Sequence, residues 1–357
     1  MTDSTAASEP ADESVFMQRM RIATYGVVLL VLVIHLLEKF RDILEPLFIA
    51  LFLGFLLHPI HRWLMKRGIS SAFAYVVIGG VMMLGMFAVA SLMIANLSEA
   101  ADKDKLLQYE KRLDTMIQGV HARLPFDVPE PKDRILREIN ISPEDIVTAT
   151  GAAVARFRTS TTWVALTLLY ILFLIAEKVS FPRRINLAFG EQPGERIMSV
   201  VESINLAISQ YVAVKTLVSA LAGIASYTVL AFFQVELAAT WGILIFLLNY
   251  IPYLGSLIAV SIPILLSFLQ FDEIWKGAVI AGLLIGIQQL IGSWVEPRMA
   301  GQRLDVSPLL IVLSLAFWSF MWGVVGAILA VPLLVIVKII LDNITATKPM
   351  ATLISNR

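Results

Sequence analysis

The chain has 357 residues, of which 58% are hydrophobic and only 16% charged, whereas a soluble globular chain averages about 45–50% apolar and about 25% charged residues. That balance points to a polytopic membrane protein, and a formal net charge of zero argues against a nucleic-acid partner, because phosphate binding needs a basic surface. With no cysteine, disulfides, thiolate nucleophiles and cysteine-based metal or iron–sulfur sites are excluded.

The first residues, MTDSTAASEPADESVF, are polar and mildly acidic. They lack the basic and apolar regions of a signal peptide, so residues 1–21 read as a polar tail and the first span is expected to be retained. A bilayer core about 30 Å thick needs roughly 20 mostly apolar residues per helix. By that ruler residues 22–37 and 43–60 are the first two spans, antiparallel because only EKFRD and its neighbours join them. Residues 71–97 form the third, so 22–97 holds three transmembrane helices. Residues 98–158 then interleave acids and bases over apolar positions at helical spacing (Leu106, Leu113, Met116, Ile117, Val120), interrupted by PFDVPEPKDR. This is an extramembrane helical insertion, its charges read as a solvated face. A serine cap and a proline at the first helical position open its last helix at SPED.

Residues 159–176 make the fourth span. Residues 191–210 look like an amphipathic helix lying on the membrane surface, which completes a 159–210 unit, and 211–233 form the fifth span. Residues 237–271, 275–294 and 307–341 follow, with 342–357 as a second tail. The fold class is therefore an all-α polytopic membrane protein with about five to eight transmembrane helices, the spread depending on two interrupted segments. Arg19, Arg21, Arg62, Lys66, Arg67, Lys178, Arg183, Arg184, Arg298, Arg303, Lys348 and Arg357 fall on one side if the spans alternate. The positive-inside rule makes that side cytoplasmic, with both termini on it and the insertion outside.

The interrupted segments are 237–271, broken at NYIPYLG, and 307–341, broken at FWSFMWGVVG. Each half is about 13–17 residues, or roughly 20–25 Å of helix. Re-entrant hairpins and tightly connected pairs of ordinary spans both fit that length. The order span, broken hairpin, span, broken hairpin suggests an inverted repeat of 211–271 and 275–341. GSLIAVSIPIL from Gly255 echoes GAILAVPLLV from Gly326. Secondary transporters place substrate where helices break in this way, since lipid cannot satisfy the freed N–H and C=O groups.

The polar residues of 211–341, the expected transport core, are the candidates for a substrate or ion pathway. Asn249 sits at the first break, where its amide either contacts a solute or caps a helix end. Pro252 removes a backbone donor there, and Gly255 permits positive φ at the turn. Gln288 precedes Glu296 by eight residues, which puts both near one helical face. Intramembrane amides and acids mark solute or proton routes, and an interhelical hydrogen bond is the alternative for Gln288. Glu296 and Arg298 flank Pro297 at the cytoplasmic end, where they either line the pathway or form an interfacial ion pair. Lys215 and Gln210 are expected at the interface too. Gly282 and Gly286 form a small-xxx-small pair for close helix packing. H-E-x-x-H, G-x-x-x-x-G-K-[ST] and G-x-S-x-G do not occur, so metalloprotease, ATP-driven pump and serine hydrolase readings lack support. The four histidines are scattered, and no metal or cofactor site is expected. Uphill transport would have to draw on an ion or proton gradient.

Three motifs in order resemble the autoinducer-2 exporter family of bacterial permeases. Its N-x-I-P-Y-x-G is matched by Asn249, Ile251, Pro252, Tyr253 and Gly255; its E-P-R-x-x-G-x-x-L…S-P by Glu296, Pro297, Arg298, Gly301, Leu304, Ser307 and Pro308; its G-x-x-G…P by Gly323, Gly326 and Pro332. The likeness covers about 22–341. It implies a multi-pass protein of the bacterial inner membrane, embedded in the lipid bilayer and a homo-oligomer, with a pentamer among the sizes open. It also implies export of autoinducer-2 or, in some members, sodium (lithium)/proton antiport, so the expected partners are a small polar solute and a coupling proton or sodium ion. No catalytic residue set transfers with it. The alternative of another class is a non-transporting scaffold that binds a partner through 98–158.

Overall fold

The computed structural model describes residues 9–70, 143–252, 254–300, 306–345 and 347–355, with isolated positions between 73 and 115. Apart from those isolated positions, the expected third span, 71–97, and most of the insertion, 98–142, lie outside the described residues. Among those described, all secondary structure is helical: α1 (Glu9–Lys39), α2 (Arg41–Lys66), α3 (Pro143–Phe189), α4 (Glu191–Phe232), α5 (Ala238–Leu248), α6 (Leu254–Gln270), α7 (Ile274–Leu290), a π turn (Ile291–Val295), α8 (Glu296–Ala300), α9 (Pro308–Asn343) and α10 (Lys348–Ile354). This is an all-α membrane protein.

Among the described residues, three stretches are long and apolar enough to cross a bilayer: Glu191–Phe232, Ile274–Met299 and Pro308–Asn343. A fourth is the pair Trp163–Glu177 and Ser180–Phe189, bent by 61°. Pro182 lies inside α3, where its missing N–H leaves the carbonyl of Lys178 unbonded, at the bend itself. The expected first two spans lie on α1 and α2, separated by Phe40 alone.

Two expectations are corrected here. The surface helix over 191–210 and the span over 211–233 are one uninterrupted helix, α4, of 42 residues. Nothing between Gly194 and Phe232 can stop it, for that stretch holds no proline and its other glycine, Gly223, lies deep in the apolar part. The C-terminal residues are also not a free tail throughout. Helix α10 folds back so that Ser307 N donates to Ile354 O at 2.9 Å, and Ala351 is fully buried.

Candidate functional site: a polar seam at the first helix break

α5 is 11 residues long, about 16 Å at 1.5 Å per residue. It ends at Asn249, the chain turns over 250–252, and α6 returns beside it. We call this pair hairpin 1. The fold-back needs Gly255, because a Cβ there would overlap the carbonyl of Leu248. Gly255 is helical and has no positive φ, so the sequence expectation is corrected: the residue supplies space for a backbone crossing, not left-handed freedom.

α9 is two arms joined at Gly323, whose φ of 61° and ψ of −136° is a combination open to glycine. The arms lie antiparallel and form hairpin 2. Ser314 Oγ donates to Ala330 O at 2.8 Å, and a Cβ on Gly326 would overlap Trp318 O. Both pairs are centred on Trp322. Pro332 is buried within the second arm. Gly326 thus stands in hairpin 2 where Gly255 stands in hairpin 1.

At the tip of hairpin 1, side chains meet α4 inside the bundle. Asn249 is only 6% exposed, and its Nδ2 donates to Ser219 Oγ at 3.1 Å. Tyr250 Oη donates to Thr216 Oγ1 at 2.8 Å, while its ring stands edge-on to Phe246 and Phe52. One residue before Thr216 on α4, Lys215 Nζ pairs with Glu296 Oε1 at 2.6 Å. Lys215 is buried rather than interfacial as expected. Glu296, 30% exposed at its side chain, opens toward the surface. The glutamate and lysine cancel in charge, and a buried pair of this kind is tolerated only because each holds the other.

The remaining candidates divide. Gln288 Nε2 is buried and donates to no acceptor among the described residues, and Ser226 Oγ on α4 is likewise buried and unpartnered. Lys215, Ser219, Ala222 and Ser226 fall at i, i+4, i+7 and i+11, one stripe of α4. The π turn lies between Gln288 and Glu296. Eight residues overshoot two α-turns, and the wider winding of a π turn takes up that excess. Arg298 does not pair with Glu296: its guanidinium stacks on Trp294, 4.5 Å from the ring centroid. Pro252 lies in the turn itself. Among the described residues nothing lies where a Cβ on Gly282 or Gly286 would stand, while Gly223 and Gly242 on α4 and α5 make a close approach. Hydropathy reading missed Lys215, Thr216, Ser219 and Tyr250 as site residues. For Lys215 and Ser219 the signal was the i, i+4, i+11 polar stripe, completed by Ser226, inside an apolar span; Thr216 and Tyr250 lie off that stripe.

The tip of hairpin 2 is of another kind. Trp322 is 1% exposed; its Nε1 donates to Leu37 O at 3.3 Å, and its ring packs against Phe48 and Trp318 at 5.4 and 4.7 Å. The Arg41 guanidinium lies beside Gly323 and is paired with Glu45 at 2.9 Å. Among the described residues no group of three or more His, Asp or Glu side chains gathers as a metal site.

The description "AI-2E family transporter" matches residues 24–346. "AI-2 transport protein TqsA" of Escherichia coli (strain K12) is 29% identical over 334 residues, 92% of this chain and 94% of that protein. "Putative transport protein YhhT" of the same strain is 28% identical over 326 residues, 91% of each chain.

Proposed function

The chain belongs to the AI-2E transporter family, a bacterial family of membrane transport proteins, and we propose that it is a gradient-driven secondary transporter of a small polar solute whose route passes the tip of hairpin 1. One observation carries the reading: Asn249 and Tyr250, at a helix break, hydrogen-bond to hydroxyls of α4 beside a buried Lys215–Glu296 pair. Polar groups at that depth are costly in lipid and mark solute routes, and a broken helix supplies them.

The dimensions support a re-entrant hairpin 1. α5, about 16 Å long, is too short for a core of about 30 Å. Its tip bonds to residues that lie 13 and 16 positions before Phe232 on α4, about 20–24 Å from that end. Hairpin 2 is longer and turns at the α1–α2 corner, which fits a pair of crossing arms. The shared glycine device supports an inverted repeat of 211–271 and 275–341. The lysine and arginine distribution supports cytoplasmic termini in a bacterial inner membrane. Gly282 and Gly286, open on the surface of α7, would be covered by a second copy in a homo-oligomer.

The name of its relative TqsA makes autoinducer-2 the first solute to test. Sodium/proton exchange is the second reading, favoured by the buried ion pair. Purified protein in liposomes, assayed for autoinducer-2 counterflow and for sodium/proton exchange under imposed gradients, separates them. Asn249→Ala and Gln288→Ala are expected to cut flux several-fold with folding and assembly intact. Wild-type flux in both variants would sink the site assignment.

A further inference from the structure

The base of hairpin 1, opposite its tip, is held by polar contacts. The turn leading into α5 contains two non-glycine residues with left-handed backbone, Gln234 (φ 57°) and Leu237 (φ 60°). L residues rarely adopt that conformation, and it persists only where surrounding contacts impose it. Those contacts come from Gln270, the last residue of α6. Its Nε2 donates to Gln234 O and its Oε1 accepts from Glu236 N, each at 2.8 Å. The two ends of the hairpin are thereby clipped together.

A side chain from far along the sequence then closes on that clip. Arg112 donates through Nη1 to Leu269 O at 3.0 Å and to Gln270 O, and its Nη2 pairs with Asp272 Oδ1 at 2.9 Å. The last carbonyls of α6 have no partner within the helix and carry the negative end of its dipole. A guanidinium, with five donors in a fixed fork, answers several of them at once. Asp272 is 84% exposed at its side chain, so solvent screens that pair and it contributes little. The carbonyl contacts, made by an arginine only 30% exposed, carry the attachment.

We infer that Arg112 is a latch that sets the position of hairpin 1 and so regulates the route at its tip. The inference rests on the proposed route past the tip of hairpin 1. The latch sits at the far end of α6, a helix of 17 residues and about 25 Å, from the turn that carries Asn249 and Tyr250. Releasing the base frees the tip to leave Ser219 and Thr216.

Amide hydrogen exchange on the full-length protein in lipid nanodiscs tests the latch without needing a transported solute. Arg112→Ala is expected to raise exchange roughly tenfold across 238–270, the loss of a charge-assisted contact read as local opening, and to leave 308–343 unchanged. Arg112→Lys, which keeps the charge but not the fork, should fall between, and Asp272→Asn should do least. Unchanged exchange over 238–270 overturns the latch, and so does an equal rise in both hairpins, which would make Arg112 a general stabiliser. In liposomes with measurable wild-type flux, Arg112→Ala should change the rate several-fold. A wild-type rate with a loosened hairpin overturns the regulatory role alone. If the wild type carries no flux, the transport reading fails while the exchange result still decides the latch.

Discussion

Hairpin 1 turns against hydroxyl groups, whereas hairpin 2 turns against aromatic rings. The closure is the same in both: a glycine early in the returning arm, Gly255 or Gly326, lies where a Cβ would strike a carbonyl of the first arm. The seatings differ. Asn249 and Tyr250 hold hairpin 1 by two side-chain hydrogen bonds to α4, and such bonds within a membrane average about 0.6 kcal/mol. Trp322 holds hairpin 2 by burial, an indole bond to Leu37 and ring packing. A fold can repeat a backbone device and seat one copy by hydrogen bonds and the other by ring packing, and the difference lies in a few tip side chains.

The strongest way to break this comparison is to empty the seat of hairpin 2. Trp322→Ala removes one of the largest fully buried side chains and is expected to cost about 3–4 kcal/mol. Thermal unfolding in detergent should show the loss, with flux per folded molecule falling less than folded yield. Equal loss of specific flux would mean that hairpin 2 also takes part in the route.

Next is the charge pair beside hairpin 1. Lys215→Ala leaves Glu296 partly buried without its partner, at a cost of about 3 kcal/mol. The double variant Lys215→Ala, Glu296→Gln should recover most of that stability in the same unfolding assay while flux stays low. If flux returns with stability, the pair is structural and the route lies elsewhere.

The two glycines allow a matched test. Gly255→Ala and Gly326→Ala each force a Cβ onto a backbone carbonyl, an overpacking lesion of about 1–3 kcal/mol. Gly326→Ala should fall at the upper end, because Trp322 and Phe48 prevent its arm from shifting. Gly255→Ala should fall at the lower end, because a tip held by two hydrogen bonds can move aside. Reversal of that order in detergent melts would remove the distinction between a fixed and a yielding hairpin.

Much of this architecture was legible in the residues. Proline and glycine within apolar runs announced both breaks, and the echo from Gly255 to Gly326 picked out the two glycines that the fold uses alike. What escaped depended on contacts between distant residues. Lys215 lies five residues inside its expected span, where hydropathy reads a lysine as interfacial. Its burial follows from Glu296, 81 positions later. Gly255 was read for φ because a turn was expected at it, yet the turn completes before it and only the facing carbonyl reveals its role. Gly282 and Gly286 have the right spacing for packing, but among the described residues no neighbour meets them, and spacing does not say which helix arrives. Arg112 sat among charges read as a solvated face, and only its meeting with α6 sets it apart.

The smallest change asks the sharpest question of hairpin 1. Tyr250→Phe removes one hydroxyl and leaves the ring between Phe246 and Phe52, so packing is kept and only the bond to Thr216 is lost. Stability should fall by about 0.6 kcal/mol, near the limit of detection in a melt. Of the tip's two side-chain hydrogen bonds to α4 only Asn249–Ser219 would remain, and its equilibrium away from α4 should rise about threefold, since 1.4 kcal/mol corresponds to tenfold. If tip release limits transport, flux rises by a similar factor. If the hydroxyl instead contacts the solute, flux falls at unchanged stability. Thr216→Val distinguishes the two, because it removes the same bond from the other side while leaving the tyrosine hydroxyl in place. Equal gains in both variants mark a tip whose release limits the rate. A loss in Tyr250→Phe alone assigns its hydroxyl to the route.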